Sequence, residues 1–178
     1  MKIFYLAGNA PHNRGWIEEV KKHFDTFSEG EILYYDHWQS GKEWIDLETE
    51  LKKLKEMVKD ETDYFIFAKS IGTILTLKAI DEKIIFPKAN FLCGLPYKSA
   101  KELNLPIDNY LESLKIPTIF VQNEFDPVAS YKEIEKVFSK HKPEAASLFV
   151  GKGKETHDYV NFGKMADYCR SLFQAMEK

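Results

Sequence analysis

The chain alternates short apolar runs with segments of helical periodicity from one end to the other, and this alternation restricts the fold to few classes. Apolar runs that alternate with amphipathic helices are typical of βαβ units and a parallel sheet. Most of the runs are continuous rather than every second residue, which suits strands covered by helices on both faces. The predicted strands lie at residues 3–7, 32–35, 64–68, 90–93, 118–121 and 147–150.

The segments between these runs predict helices. The apolar stripes are Trp16, Val20, Phe24 and Phe27; Trp44, Leu47, Leu51, Leu54 and Val58; and Phe162, Met165, Cys169, Leu172, Phe173 and Met176. Segment 71–80 is apolar almost all round, which predicts a helix buried in the middle of the molecule. Domains average about 150 residues, so 178 residues predict a single domain over 1–178. The alternation of strands and helices predicts that this domain has three layers, α/β/α.

The charge balance excludes several functional classes. The 25 basic and 28 acidic residues give a net charge of −3, so no surface for nucleic acid or anionic lipid is indicated.

The apolar runs are far shorter than the roughly 20 residues that span a bilayer, and a secretory signal pattern is not seen. The two cysteines, Cys93 and Cys169, cannot form a disulfide framework, which favours a cytoplasmic location.

Ser70 is the first candidate functional residue, because it stands directly between a strand-like run and the buried helix. A serine on so tight a turn fits a nucleophile elbow, which needs small residues two positions before and two after the serine. Ala68 and Gly72 meet that need, giving A-x-S-x-G. The triplet Ser28-Glu29-Gly30 also matches Ser-x-Gly, but there the glycine is expected to cap a helix. The simpler interpretation of Ser70 is a polar N-cap.

Two phosphate-binding motifs are excluded. The pair Lys69-Ser70 resembles the end of a P-loop, but Asp63 and Ala68 stand where that motif requires glycine. The sequence Gly8-Asn9-Ala10 after the first run does not match the G-x-G-x-x-G of a dinucleotide site.

A nucleophilic serine needs a general base, usually a histidine oriented by a carboxylate. Among the five histidines, His12, His37 and His157 are predicted in loops at the carboxyl ends of strands, where open α/β sheets bind ligands. His157 follows the last run in a glycine-bearing loop, and Asp126 follows the fifth run. Taken alone, His157 fits an exposed histidine that precedes a helix, and Asp126 fits a turn aspartate that precedes a proline.

The order of these features along the chain resembles that of the α/β-hydrolase superfamily. The A-x-S-x-G elbow, a later strand followed by Asn-Glu-Phe-Asp-Pro-Val, and a last strand followed by His157 occur in that order. Nucleophile, acid and histidine is the superfamily's chain order. The resemblance implies that Ser70 is the nucleophile, that His157 is the general base and then acid, and that Asp126 orients the imidazole. Glu124 is the reserve acid.

The resemblance also has consequences for the sheet and for the rest of the site. The first two strands of larger members have no counterpart here, which implies a minimal α/β-hydrolase fold with six parallel strands in the order 2-1-3-4-5-6. The oxyanion hole is predicted to use the backbone N–H groups of Ile71 and, to within a residue, Asn9. Substrate binding is predicted at Gly8, Leu95 and Pro96.

The sequence allows two interpretations for each of several residues near the predicted site. Lys69 either meets an anionic part of the substrate or pairs with nearby acids, and His37-Trp38 either lines the site or packs a loop. Cys93 fits both a pocket wall and the core. Segment 95–115, with a short helical piece at 108–114, is the sole lid candidate and is too small for a deep tunnel, which predicts an open site and short acyl groups.

Together these observations predict a cytoplasmic, carboxylesterase-like serine hydrolase. It would cleave a small ester, thioester or related acyl substrate through an acyl-enzyme on Ser70, with no metal or organic cofactor. The alternative is a catalytically weak hydrolase fold that serves as a protein-interaction module. The fold itself does not choose among substrates.

Overall fold

A six-stranded parallel sheet forms the centre of the molecule in the computed structural model, which describes residues 1–176. The strand order is β2-β1-β3-β4-β5-β6, so the predicted order is confirmed. Each strand runs parallel to its neighbours. The strands are β1 (Lys2–Leu6), β2 (Gly30–Ile32), β3 (Tyr64–Lys69), β4 (Ala89–Cys93), β5 (Thr118–Asn123) and β6 (Ala146–Gly151).

Helices cover both faces of this sheet, which confirms the three-layer α/β/α fold. The helices are α1 (Asn13–Phe24), α2 (His37–Ser40), α3 (Leu47–Val58), α4 (Ile71–Asp81), α5 (Tyr97–Glu102), α6 (Ile107–Glu112), α7 (Tyr131–His141) and α8 (Phe162–Met176). The buried residues of α1 and α8 pack on one face of the sheet, and those of α3, α4, α6 and α7 pack on the other. No helix within residues 1–176 is both long and apolar enough to cross a bilayer.

The continuous apolar runs are explained by burial on two sides. In β3, Tyr64, Ile66 and Ala68 belong to the core under α4, whereas Phe65 and Phe67 belong to the core under α1 and α8. Successive side chains of a strand point to opposite faces, so a strand covered on both faces needs apolar residues at every position.

Helix α4 is the most buried helix, as its apolar sequence predicts, and nine of its eleven residues are buried. It approaches the end of β1 very closely. A Cβ atom on Gly72 would lie 2.8 Å from the carbonyl oxygens of Leu6 and Ala7, and the Gly72 N–H donates to Ala7 O at 3.1 Å. Only a glycine permits this contact, which fixes the start of α4 against β1.

Two predicted boundaries are wrong. The second strand covers Gly30–Ile32 rather than 32–35, although Leu33 and Tyr35 are buried. Their apolar character reflects core packing beyond the strand. The second amphipathic helix begins at Leu47, where the Asp46 carboxylate accepts from the Thr49 N–H at 3.2 Å, so Trp44 precedes it and is 57% exposed.

Segment 95–115 forms part of the core rather than a lid. It contains the two short helices α5 and α6 instead of one helical piece at 108–114. Ile107, Leu111 and Leu114 are fully buried in the core that includes α4. Their burial holds the segment against the body of the protein.

Candidate active site

Ser70 lies on the sharp turn between β3 and α4. Its backbone has φ 54° and ψ −123°, a region that residues other than glycine rarely adopt and that costs about 1–3 kcal/mol. The surrounding contacts hold this conformation. The Ser70 N–H donates to Cys93 O at 2.9 Å, and the Thr73 hydroxyl donates to Ser70 O at 2.7 Å. The strained turn leaves the Ser70 hydroxyl partly exposed at the carboxyl end of the sheet.

His157 is brought to Ser70 by the loop between β6 and α8. Its Nε2 lies 2.8 Å from Ser70 Oγ, although the two residues are 87 positions apart. Gly94, at the end of β4, makes room for the imidazole ring, because a Cβ atom there would lie 2.9 Å from His157 Cε1. Gly94 also has φ +65°, which glycine adopts without steric cost.

Asp126 lies behind His157, in the turn after β5. Its carboxylate oxygens lie 2.8 Å and 3.0 Å from His157 Nδ1, and the residue is 3% exposed. Burial alone would raise the pKa of Asp126, but hydrogen bonds from His157, Tyr159 and the Val128 N–H outweigh it, so the pKa lies below its ordinary value. Asp126 is therefore ionised at neutral pH and holds the proton of His157 on Nδ1.

Tyr159 is a member of this cluster that the sequence did not reveal. Its hydroxyl donates to Asp126 Oδ2 at 2.7 Å and accepts from the Asn123 N–H at 3.1 Å. Burial raises the pKa of Tyr159, which keeps the hydroxyl a donor. Tyr159 lies in a loop without periodicity, and the sequence offers no signal beyond its place two residues after His157.

Glu124 bonds the backbone of the loop that carries His157. Its carboxylate accepts from the Gly153 N–H at 2.8 Å and thereby holds that loop. The hydrogen-bonded carboxylate partner of His157 Nδ1 is Asp126.

The two predicted oxyanion donors lie at the start of α4 and in the loop after β1. Ile71 is the first residue of α4, and such N–H groups have no partner within a helix. Asn9 lies in the loop after β1, where its carbonyl and side chain are already hydrogen-bonded. Within residues 1–176 neither backbone N–H donates to another protein group. Their role in stabilising an oxyanion stays a prediction.

The three predicted substrate residues are buried. Leu95 is 1% exposed and packs in the core that includes α4, while Gly8 lies against the Asn13 side chain. Pro96 precedes α5. Substrate contact by Gly8, Leu95 or Pro96 stays a prediction.

Lys69 and Cys93 are buried beside the nucleophile. Lys69 Nζ donates to Asn13 Oδ1 at 2.9 Å, lies 4.8 Å from the centre of the Trp16 ring and is 3.7 Å from the exposed Asp158 carboxylate. Burial lowers the pKa of Lys69, and burial raises the pKa of Cys93 to about 12. The Cys93 thiol is therefore un-ionised at neutral pH.

Residues 1–176 contain no cluster of three or more His, Cys, Asp or Glu side chains placed to bind a metal ion. A cavity of about 510 Å³ lies between β6 and α8, with Tyr159 and Asp158 in its wall. Ser70 is not among its lining residues. The arrangement around Ser70 is thus a hydroxyl, an imidazole and a carboxylate in a hydrogen-bonded row.

No protein-family model and no curated protein sequence matches the chain. Several solved structures are similar to it. An uncharacterized protein from Bacillus cereus ATCC 10987 has a TM-score of 0.76 at 16% identity, over 99% of this chain and 60% of that one. Est1E from Butyrivibrio proteoclasticus, with ferulic acid bound, has a TM-score of 0.76 at 12% identity, over 98% and 88% of the two chains.

A structure assigned as a hydrolase of the α/β superfamily, from Xanthomonas campestris pv. campestris, has a TM-score of 0.73 at 15% identity. The match covers 98% of this chain and 97% of that one. At such identities the likeness establishes the fold alone. The six-stranded sheet in the order 2-1-3-4-5-6, with helices on both faces, has the fold of the α/β-hydrolase superfamily.

Proposed function

We propose that this protein is a serine hydrolase that cleaves a small ester, thioester or related acyl substrate. The observation that carries the proposal is the row of contacts from Ser70 Oγ to His157 Nε2, at 2.8 Å, and from His157 Nδ1 to Asp126, at 2.8 Å. A serine hydroxyl is a weak nucleophile alone and becomes effective when a histidine in hydrogen-bond reach accepts its proton.

In the proposed acylation step, Ser70 Oγ attacks the carbonyl carbon of the substrate while its proton moves to His157 Nε2. The imidazolium that forms is stabilised by the ionised Asp126, which is itself held by the Tyr159 hydroxyl. The negative charge on the carbonyl oxygen is stabilised by the N–H groups of Ile71 and Asn9. The tetrahedral intermediate then collapses, and His157 gives its proton to the leaving alcohol or thiol.

In deacylation a water molecule takes the place of the leaving group. His157 accepts a proton from that water, the hydroxide attacks the acyl carbon, and Ser70 Oγ leaves with the proton returned by His157. The products are the free acid and the regenerated serine.

A fluorophosphonate probe tests the nucleophile. We expect the wild-type protein to gain one covalent adduct, found by mass spectrometry on the peptide that contains Ser70. Ser70→Ala should not be labelled. Ser28→Ala is the matched control, because Ser28 also stands in a Ser-x-Gly triplet but its hydroxyl bonds the backbone of Met1, so it should label as the wild type does. Equal labelling of wild type and Ser70→Ala would overturn the proposal.

The alternative role as a protein-interaction module has its own outcome. It would be favoured by a folded wild-type protein that neither reacts with the probe nor hydrolyses any member of an ester panel, and that is recovered with one stable partner protein. That panel should hold short-chain p-nitrophenyl esters, acyl thioesters and an alkyl ferulate, the last because ferulic acid binds the structurally similar Est1E.

A further inference from the structure

We infer that three side chains after β2, those of Tyr35, His37 and Trp38, are positioning residues for the proposed reaction. We call them the aromatic clamp. They hold the β1 loop, residues 7–10, which carries the proposed oxyanion donor Asn9. The inference rests on the proposed function and adds to it a device that sets the position of that donor.

The aromatic clamp donates three hydrogen bonds to backbone carbonyls of the β1 loop. The Tyr35 hydroxyl donates to Ala7 O at 3.0 Å. His37 Nε2 and Trp38 Nε1 both donate to Asn9 O, at 2.6 Å and 2.8 Å. A carbonyl oxygen only accepts, so His37 must carry its proton on Nε2.

The Asn9 side chain is held as well. Its Oδ1 accepts from the Ile45 N–H at 3.0 Å, and its Nδ2 donates to Glu43 O at 2.9 Å. The Asn9 backbone carbonyl and its side-chain amide are therefore both held by hydrogen bonds. Because both groups are attached near the same Cα atom, they restrict the orientation of the residue and with it the direction of its backbone N–H. An oxyanion donor works best when it is held in place before the charge develops.

The aromatic clamp is itself attached to α3. The Asp36 N–H donates to Glu50 Oε1 at 2.7 Å, and Glu50 is only 1% exposed. Lys53 Nζ lies 2.9 Å from the other Glu50 oxygen and 2.5 Å from Asp36 Oδ1. These contacts tie the residues between Tyr35 and Trp38 to a packed helix, so the β1 loop rests on a rigid support.

This support should affect the transition state more than the substrate complex. An uncharged ester carbonyl gains little from the Asn9 N–H, whereas the tetrahedral oxyanion gains much. Loosening the β1 loop should therefore lower kcat and leave KM nearly unchanged. A trifluoromethyl ketone, which forms a tetrahedral adduct with the serine, should bind more weakly by the same factor.

The decisive experiment compares Trp38→Phe with Trp44→Phe. Trp38→Phe removes the donor and keeps an aromatic ring, and we expect about a tenfold loss of kcat, the effect of about one hydrogen bond. The Ki of phenyl trifluoromethyl ketone should rise about tenfold. Trp44 is 57% exposed, so Trp44→Phe should change neither quantity.

A second pair of variants, both at His37, separates the loss of a hydrogen bond from a failure to fold. His37→Gln keeps an amide donor near the position of Nε2 and should retain most of the wild-type kcat, whereas His37→Phe should lose about tenfold. Both are compared by circular dichroism and by the fraction that reacts with the fluorophosphonate probe.

The outcomes separate the two proposals. If the wild type turns over and binds the ketone, but folded Trp38→Phe and His37→Phe keep its kcat and Ki, the aromatic clamp has no positioning role and the proposed hydrolase stands. A change in KM alone would likewise overturn the inference. A wild-type protein that neither turns over nor reacts with the probe would overturn both.

Discussion

Two residues of the candidate site are held in states that would be unfavourable for an isolated residue. Ser70 has a left-handed φ of 54°, which costs about 1–3 kcal/mol for a residue with a side chain. Asp126 is a carboxylate with 3% exposure, yet its pKa is lowered, because hydrogen bonds from His157 and Tyr159 outweigh burial. Such strain and burial persist only where neighbouring groups fix them.

The two acids near β5 give a residue-scale prediction. Asp126→Asn should lower kcat by about 10⁴-fold, because an amide cannot keep the His157 proton on Nδ1 or stabilise the imidazolium. Glu124→Gln is the matched control, since its carboxylate bonds the Gly153 N–H and an amide oxygen can do the same. Steady-state kinetics on a short ester measures both. A larger loss in Glu124→Gln than in Asp126→Asn would exchange the roles of the two acids.

At the scale of elements, periodicity located most strands and helices but not all of their ends. The apolar character of a residue indicates that it is buried, not that it is in a strand. In β3 and β4 the buried residues are also the strand residues, but Leu33 and Tyr35 are buried although β2 ends at Ile32. The last hydrogen bond from this segment to β1 runs from the Leu33 N–H to Tyr5 O at 3.0 Å, so the end of β2 is decided by a contact between two segments. The sequence of Leu33 and Tyr35 could therefore not distinguish a strand from a buried loop.

The junction of β3, α4 and β1 gives an element-scale prediction. Gly72→Ala should lower the free energy of unfolding by about 1–3 kcal/mol, since the new Cβ would lie 2.8 Å from the backbone oxygens of Leu6 and Ala7 at the end of β1. Gly15→Ala is the matched control in α1. A Cβ there has no neighbour within 4 Å, so alanine should raise the free energy of unfolding by about 0.5–1 kcal/mol.

Urea denaturation monitored by circular dichroism measures both glycine variants. If the two substitutions changed stability equally, the close approach of α4 to β1 would not exist in solution.

At the scale of the whole molecule, the fold is a sheet with two helical layers, and segment 95–115 contributes to the core. Its buried residues Ile107, Leu111 and Leu114 pack in the core with α4, so the segment cannot open without exposing them. The cavity of about 510 Å³ lies between β6 and α8 and does not include Ser70. Because segment 95–115 is held in the core, we expect an open, shallow entrance to Ser70.

This architecture predicts a preference for short acyl chains. Each further CH₂ of a substrate gains about 0.8 kcal/mol only where the protein buries it. With such an open entrance, kcat/KM for p-nitrophenyl esters should be highest for acetate to butyrate and fall for decanoate and longer chains. A rising kcat/KM up to palmitate would show a long apolar channel and would contradict this prediction.

The apolar periodicity by itself determined a parallel sheet with helices on both faces, because each segment's pattern reports how that segment is buried. The sheet order 2-1-3-4-5-6 followed only from the resemblance to the α/β-hydrolase superfamily, because periodicity does not say which strands are neighbours. The sequence also determined Ser70, Asp126 and His157 as candidates, since each follows a strand. Only the tertiary structure decided which groups surround them. Tyr159 on Asp126, and the aromatic clamp on Asn9, join segments far apart in the chain through hydrogen bonds between loops, and such contacts leave no periodic pattern in a sequence.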